Sequence, residues 1–215
     1  MKLVIANTNY STWSLRAWLA AKATGLPFDE ALIDIDAPDT AERIREYSPG
    51  GRLPVLVDGP VTVWDSLAIV EYLAEIAPTA GLWPEERTAR ALARSIVAEM
   101  HAGFQALRSH YPMNIRRPVA ARPATPAVAA EVDRICAIWR DARARFGTGG
   151  PFLFGSFTVA DAFFAPVASR FRTYAVPLGR VESAYLEAIH AHPAMIEWRE
   201  RARAETWVVP SDEVD

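Results

Sequence analysis

The sequence changes character at residues 78–84, where the segment PTAGLWP brings together two prolines and a glycine. Before this segment, short apolar runs of strand length alternate with stretches of helical period. After it, the chain is rich in alanine and arginine and follows the helical period almost throughout. Such a cluster of chain-breaking residues is typical of a junction between folded units. We therefore predict an α/β domain over residues 1–78, a linker over 79–86 and an all-helical domain over 87–215.

The first domain is predicted to have the order βαβ, then α, then ββα. Its first helical segment stops at Gly25 and separates two apolar runs, an arrangement typical of a parallel, right-handed βαβ unit. The Asp-Gly pair at residues 58–59 joins two further apolar runs and favours an antiparallel hairpin. The predicted strands cover residues 3–6, 31–35, 55–57 and 61–63, and the predicted helices cover 14–24, 39–47 and 65–78.

The second domain is predicted to contain only helices. The first is one long helix over residues 85–111, because apolar side chains recur there at core-facing positions. Thr158 and Asp161 have the spacing of a capping box, in which each side chain bonds the other's backbone N–H, so a buried helix should begin at Thr158. The remaining predicted helices cover residues 127–146, 182–190 and 193–204.

Composition excludes several classes of function. The formal net charge is −3 and no long run of one sign occurs, so neither nucleic acid nor a membrane surface is an expected partner. The single cysteine, Cys136, excludes an internal disulfide and a cysteine-based metal site, and it suits a reducing compartment. The N-terminal apolar run is too short for a signal peptide. We expect a cytoplasmic protein without a metal.

Three separated pieces of the first domain carry polar groups suited to a ligand. Ser11, Thr12 and Ser14 lie at a strand-to-helix junction, where unpaired N–H groups and the helix dipole stabilise an anion. Pro54 follows Arg52 and Leu53 at the start of a strand and is a candidate cis-proline. Asp65 and Ser66 begin a helix. Each piece also has a plain structural interpretation, as helix caps or as an ordinary proline at the start of a strand.

Three longer motifs carry a resemblance to a known family: SPGGRLPVLVDG (residues 48–59), VWDSLAIVEYLAE (63–75) and FGSFTVADAFFAPV (154–167). In order and spacing they resemble the glutathione transferase superfamily over nearly the whole chain. The segment STWSLR at residues 11–16 is similar to the serine-rich motif of zeta-class enzymes, with Trp13 standing where that class has cysteine. The resemblance implies a thioredoxin-like first domain, an all-helical second domain, glutathione as co-substrate and a homodimer.

The resemblance also implies a role for each polar piece. Ser11 is expected to donate a hydrogen bond to the sulfur of glutathione and so favour the thiolate, with Thr12 or Ser14 as the alternative donor. Asp65 would hold the α-ammonium group and Ser66 the α-carboxylate of the γ-glutamyl end. The backbone of Leu53 would pair with the cysteinyl part beside a cis Pro54, and Arg52 would meet the glycyl carboxylate or remain a solvated loop arginine.

The second substrate, an electrophile, is expected between the Ser11 loop and the helices of the second domain. The candidate side chains are Tyr10, Trp13, Met100, Phe104, Arg108, Tyr111, Arg172 and Tyr174. Three functions stay open: conjugation of glutathione to a small electrophile, a cis–trans isomerisation of the maleylacetoacetate type, and a non-catalytic binding or regulatory module. A fold alone does not separate these functions.

Overall fold

The computed structural model describes residues 1–214, and its elements follow the predicted order. The strands are β1 (Lys2–Ala6), β2 (Asp29–Ile33), β3 (Val55–Asp58) and β4 (Val61–Trp64). The helices are α1 (Thr12–Thr24), α2 (Thr40–Arg45), α3 (Ser66–Ile76), α4 (Arg87–Ala102), α5 (Gln105–His110), α6 (Pro126–Phe146), α7 (Val159–Thr173), α8 (Arg180–Ala191) and α9 (Pro193–Ala204), with short 3₁₀ turns at Pro78–Ala80 and Pro210–Asp212.

The four strands form one mixed sheet in the order β2-β1-β3-β4. β1 pairs parallel with β2 and antiparallel with β3, so Val4 lies between Ala31 and Val55. β3 and β4 form the predicted hairpin. This sheet and the helices after it confirm the predicted fold class. β2 lies two residues earlier than predicted, because its register on β1 aligns Asp29 with Lys2.

The predicted long helix over residues 85–111 is wrong, because the chain breaks between α4 and α5. Gly103 is extended and Phe104 has a positive φ of 61°. The Arg108 side chain folds back and donates to the carbonyls of Met100 and Gly103, which are left open at the end of α4. Glu131 of α6 accepts hydrogen bonds from the N–H groups of Ala106 and Leu107 in the first turn of α5. Side chains from outside each helix thus satisfy both ends of the break.

α7 forms the centre of the helical part and begins with the predicted capping box. The fully buried Asp161 carboxylate accepts hydrogen bonds from the N–H groups of Thr158 (2.8 Å) and Leu153 (3.1 Å) and from the Tyr185 hydroxyl (3.0 Å). Burial outweighs these bonds and raises the pKa of Asp161 to about 6. The box therefore fixes where this buried helix begins.

α1 packs against α3 on one side and α7 on the other. Leu15 and Trp18 of α1 consequently lie in the same apolar core as Trp139 of α6 and Phe163 of α7. Because the two parts of the chain share this core, the linker over residues 79–86 stays a prediction from the sequence. The packing places the start of α1, with its three hydroxyls, at the junction between the sheet and the helices. None of the helices within residues 1–214 is long and apolar enough to cross a membrane.

Candidate functional site

The start of α1 separates the three candidate hydroxyls by their surroundings. Ser11 is the N-cap of α1 and is partly exposed; its Oγ accepts from the Ser14 N–H at 3.3 Å. Ser14 is fully buried, and its Oγ accepts from the N–H of Ala6 (2.9 Å) and from the Ser11 hydroxyl (2.8 Å). Thr12 is almost fully buried. Ser14 therefore ties α1 to β1, while Ser11 faces open space.

A cleft of about 760 Å³ lies beside Ser11. The structure brings together here all the residues that the resemblance implied for glutathione, since Arg52, Leu53, Pro54, Asp65 and Ser66 line the cleft. The Leu53–Pro54 peptide bond is cis, as the resemblance implied.

Asp65 and Ser66 supply the polar groups at one end of this cleft. Asp65 precedes α3 with a positive φ of 75°, and its Oδ1 accepts from the Leu67 N–H at 2.8 Å. The Ser66 side chain is buried, and its Oγ has no hydrogen-bond partner among the residues that the structure describes. A buried hydroxyl without a partner at a helix N-terminus is suited to an anionic ligand group.

A second cavity of about 420 Å³ adjoins the cleft and is lined by Tyr10, Thr12, Arg108, Arg170 and Asp212, among others. It shares four lining residues with the cleft: Ser11, Trp13, Ile35 and His101. Ser11 therefore lies where the two spaces meet. Arg170 is buried and its Nε donates to the Tyr111 carbonyl (2.7 Å); burial lowers its pKa to about 9, so it is still a cation at neutral pH.

The structure corrects the predicted placement of several second-substrate residues. Tyr10, Trp13 and Arg108 line the second cavity, whereas Met100 and Phe104 lie buried in the apolar core. Tyr111 and Tyr174 stack on each other, with ring centroids 4.6 Å apart, in the wall of a separate cavity of about 530 Å³.

Arg172 also lies elsewhere, in an ion pair with Glu187 of α8 at 2.6 Å. Two causes account for these differences. The break at Gly103–Phe104 changes the face that the following residues present, and α7 turns Arg170 rather than Arg172 toward α1 and the second cavity.

Sequence reasoning missed several residues that line the two spaces, among them His101 and Arg170. His101 follows Met100 near the end of α4 and lines both spaces. Arg170 comes seven residues after Phe163, on the same face of α7, and this helical spacing is the signal that could have found it. Phe163 contacts both His101 and Arg16, which marks that face as the one toward the site.

Arg16 lies behind Trp13 and is fully buried. Its guanidinium stacks between the rings of Trp13 (4.5 Å) and Phe163 (4.9 Å), and its side-chain nitrogens have no hydrogen-bond partner within residues 1–214. Burial lowers its pKa well below the ordinary value, with Arg108 and Arg170 adding to the effect. Arg108 also lies 5.1 Å from the Trp13 ring. The ring of Trp13, which lines both spaces, thus lies against the guanidinium groups of Arg16 and Arg108.

Comparison with known families agrees with this geometry. Residues 10–76 match the family model of the glutathione S-transferase N-terminal domain, and residues 121–201 match that of the C-terminal domain. The chain belongs to the glutathione S-transferase superfamily. The first match contains Ser11, the cis-proline and the Asp65–Ser66 pair, so most residues that line the cleft lie within it.

Individual relatives are similar to parts of this chain. Over 60 residues the chain is 43% identical to the dichloromethane dehalogenase of Methylorubrum extorquens. This match covers 27% of this chain and 21% of that protein. Over 99 residues it is 32% identical to a probable maleylacetoacetate isomerase of Caenorhabditis elegans, 46% of this chain and 45% of that protein. The chain thus spans less than half the length of either curated relative.

Solved structures share the fold of this chain over almost its whole length. A glutathione transferase homologue from Burkholderia, solved with bound glutathione, superimposes with a TM-score of 0.70 at 22% identity, covering 94% of this chain and 97% of that one. At this identity the likeness shows the fold alone. In residues 1–214 no grouping of three or more His, Cys, Asp or Glu side chains could hold a metal ion.

Proposed function

We propose that this chain is a glutathione transferase in which the Ser11 hydroxyl stabilises the glutathione thiolate for attack on a small electrophile. The observation that carries the proposal is the position of Ser11 on the boundary between the two cavities. A transferase of this kind must hold its nucleophile where two binding spaces meet. The cleft would take glutathione, and the second cavity would take the electrophile.

The polar groups of the cleft suit the two ends of glutathione. The Asp65 carboxylate would bind the α-ammonium group, while the Ser66 hydroxyl and the N-terminus of α3 would bind the α-carboxylate. The backbone of Leu53 would pair with the cysteinyl peptide, and Arg52 would meet the glycyl carboxylate from the other side of the cleft. This orientation directs the sulfur toward Ser11.

Activation of the thiol requires only that its proton leave to solvent and that the resulting anion be stabilised. The Ser11 hydroxyl would turn from Ser14 and donate to the sulfur, and the Ser14 hydroxyl would then donate to Ser11 Oγ while still accepting from the Ala6 N–H. Donation to the charged form lowers the pKa of a thiol, and the N-terminus of α1 adds to this effect. The thiolate then attacks the electrophilic carbon and expels its leaving group.

The test is the glutathione thiolate absorbance in the ultraviolet, measured against pH, together with turnover of a chlorodinitrobenzene. Ser11→Ala should raise the thiol pKa by about one unit or more and lower turnover by about a hundredfold, while changing the affinity for glutathione by only a few fold. Thr12→Ala should leave both measurements near wild type. Ser14→Ala should have an intermediate effect, since it removes the second hydroxyl.

Two results would contradict the assignment. If Thr12→Ala or Ser14→Ala abolishes the thiolate while Ser11→Ala does not, the donor is another hydroxyl. If glutathione binds but its thiol ionises as it does in free solution, the chain is a non-catalytic binding or regulatory module.

A second candidate function is a glutathione-dependent cis–trans isomerisation, for which the cationic wall of the second cavity is the specific observation. Arg108 and Arg170 line that cavity, which suits a substrate with a carboxylate. The thiolate would add to a conjugated C=C bond, the electron pair would move to the carbonyl as an enolate, and elimination after rotation would restore the thiolate. Turnover of maleylacetone supports this candidate, and its absence with a competent thiolate rejects it.

We also propose that the chain is a homodimer and that it works in the cytoplasm. The family supports the dimer, and the single cysteine supports a reducing compartment. Light scattering should give twice the mass of one chain, and the mass of one chain would contradict the dimer.

A further inference from the structure

His101 is the only ionisable side chain among the four residues that line both cavities, the others being Ser11, Trp13 and Ile35. It lies one residue before the end of α4, and its ring meets the edge of Trp13 with the centroids 5.1 Å apart. The thiolate mechanism above does not use it. Its position nevertheless lets it respond to occupancy of either space.

The imidazole is directed at the residue that would hold the ammonium group of glutathione. His101 Nε2 lies 3.4 Å from Asp65 Oδ2, while Asp65 Oδ1 is held by the Leu67 N–H. The carboxylate is thus fixed from α3 through one oxygen and approached from α4 through the other. A ligand ammonium group entering the cleft must share that second oxygen with the imidazole.

The other ring nitrogen, Nδ1, is buried and has no hydrogen-bond partner within residues 1–214. An unpartnered lone pair is tolerated there, whereas a proton on Nδ1 would leave a buried donor unsatisfied. The surroundings therefore favour the neutral tautomer with its proton on Nε2, toward Asp65.

We propose that His101 is a positioning residue that shares the Asp65 carboxylate with the γ-glutamyl ammonium group of glutathione. The neutral imidazole orients the carboxylate and yields to the ligand, whereas the protonated imidazole forms an ion pair with Asp65 and competes with the ligand. This inference rests on the proposed function, because it takes glutathione as the occupant of the cleft.

The charges around His101 give the sign of the effect. Burial lowers the pKa of His101. The negative charge of Asp65, just before α3, opposes this change, and the positive charges of Arg16 on α1 and Arg108 on α5 add to it. From α7, the apolar Phe163 faces the ring. An ammonium group on Asp65 cancels the one charge that raises the pKa, so bound glutathione should lower it further. Binding then releases a proton, and by linkage acid weakens binding.

The experiment uses S-methylglutathione, whose sulfur cannot ionise, and isothermal calorimetry from about pH 7.5 to about pH 5.5. The ligand's ammonium and carboxylate groups do not titrate in this range, so a change in affinity reports the protein. Wild-type affinity should fall about threefold toward acid, less than the roughly tenfold that an imidazole of ordinary pKa would give, because burial lowers the pKa of His101. His101→Gln, which keeps an N–H donor but cannot be protonated, should match wild type at the upper pH and change by less than about twofold.

His110→Gln is the matched control, since His110 lies on α5 and bonds the Pro123 carbonyl away from both cavities. It should keep the full wild-type dependence on pH. A second measurement needs no variant: the His101 ring C–H resonances should titrate at lower pH when S-methylglutathione is bound.

An equal fall in affinity for wild type and His101→Gln, or a His101 titration that the ligand does not shift, overturns the proposal while leaving the proposed function intact. Failure of the wild type to bind the ligand at any pH overturns both.

Discussion

At the scale of single residues, burial separates side chains that are chemically alike. Ser11 and Ser14 lie three positions apart with the same hydroxyl, yet the interior holds Ser14 through the Ala6 N–H and leaves Ser11 at the meeting point of two cavities. Ser66 differs from Ser14, because its buried hydroxyl lines the cleft and has no hydrogen-bond partner in the described part of the chain. A polar atom in this state is available to a ligand at little cost.

Ser66→Ala should therefore weaken binding of S-methylglutathione about tenfold without lowering the free energy of unfolding, because the hydroxyl has no bond to lose in the free protein. Calorimetry measures the first effect and denaturant titration the second. Ser95→Ala is the control, since Ser95 is exposed on α4 and bonds only its own helix through the Ala91 carbonyl. Unchanged affinity in Ser66→Ala would remove this serine from the proposed glutathione site.

At the scale of elements, side chains from outside a helix decide where it begins and ends. Arg108 and Glu131 stabilise the break between α4 and α5, and the break turns Tyr111 away from the second cavity. At α7 the capping side chain belongs to the helix itself. Asp161, in the first turn, bonds the Thr158 N–H and fixes the start of α7 within the core. α7 in turn carries Phe163 and Arg170, which contact or line the site.

Asp161→Asn should lower the free energy of unfolding by about 2–4 kcal/mol, because an amide nitrogen in place of one carboxylate oxygen leaves buried donors unpaired. Denaturant titration measures this loss. Thr125→Ala is the matched control at the exposed cap of α6, where the hydroxyl accepts from the Val128 N–H, and it should cost about 1 kcal/mol.

The pH dependence gives a further check on Asp161. Burial raises its pKa to about 6, above the unfolded value, so the stability that this group contributes is present in acid and is lost as the pH rises through about 6. That part of the slope should be absent in Asp161→Asn. A variant with wild-type stability and slope would show that the capping box does not determine where α7 begins.

At the scale of the whole molecule, the C-terminal segment fixes the loop that leads into Ser11. The Glu205 carboxylate accepts from the N–H (2.5 Å) and the hydroxyl (2.7 Å) of Thr8, and the Trp198 indole donates to the Thr8 carbonyl (2.9 Å). Arg116 donates to the Trp207 carbonyl and to the Tyr10 hydroxyl. Residues far apart in sequence thus hold the loop that precedes Ser11.

Glu205→Ala should lower the free energy of unfolding by about 2–3 kcal/mol, because it leaves the N–H and hydroxyl of Thr8 without their acceptor. It should also reduce turnover several-fold with little change in glutathione affinity, since the loop sets the position of Ser11 but not that of Asp65 or Ser66. Glu200→Ala, exposed on α9, is the control. Wild-type stability and turnover in Glu205→Ala would contradict a role for Glu205 in holding the loop that precedes Ser11.

The sequence by itself determined the order of elements and the pieces of the cleft. Apolar period and chain-breaking residues are local signals, and they sufficed for the βαβ-α-ββα order and the capping box at Thr158–Asp161, while the cis form of Pro54 followed from the family resemblance. The polar residues that line the cleft could also be predicted, because the strand-to-helix junctions of one small sheet converge on one edge.

Only the tertiary structure decided which side chains face the second cavity. The break after α4 is stabilised by Arg108 and by Glu131 of a different helix, so the apolar period of the segment did not reveal it. The rotation of α7 that selects Arg170 over Arg172 follows from its packing against α1. The proposed role of His101 depends on Asp65 at the start of α3, which is 36 positions away in sequence but 3.4 Å away in space. Contacts of this kind are set by packing between elements, which the amino-acid order constrains only through the complete fold.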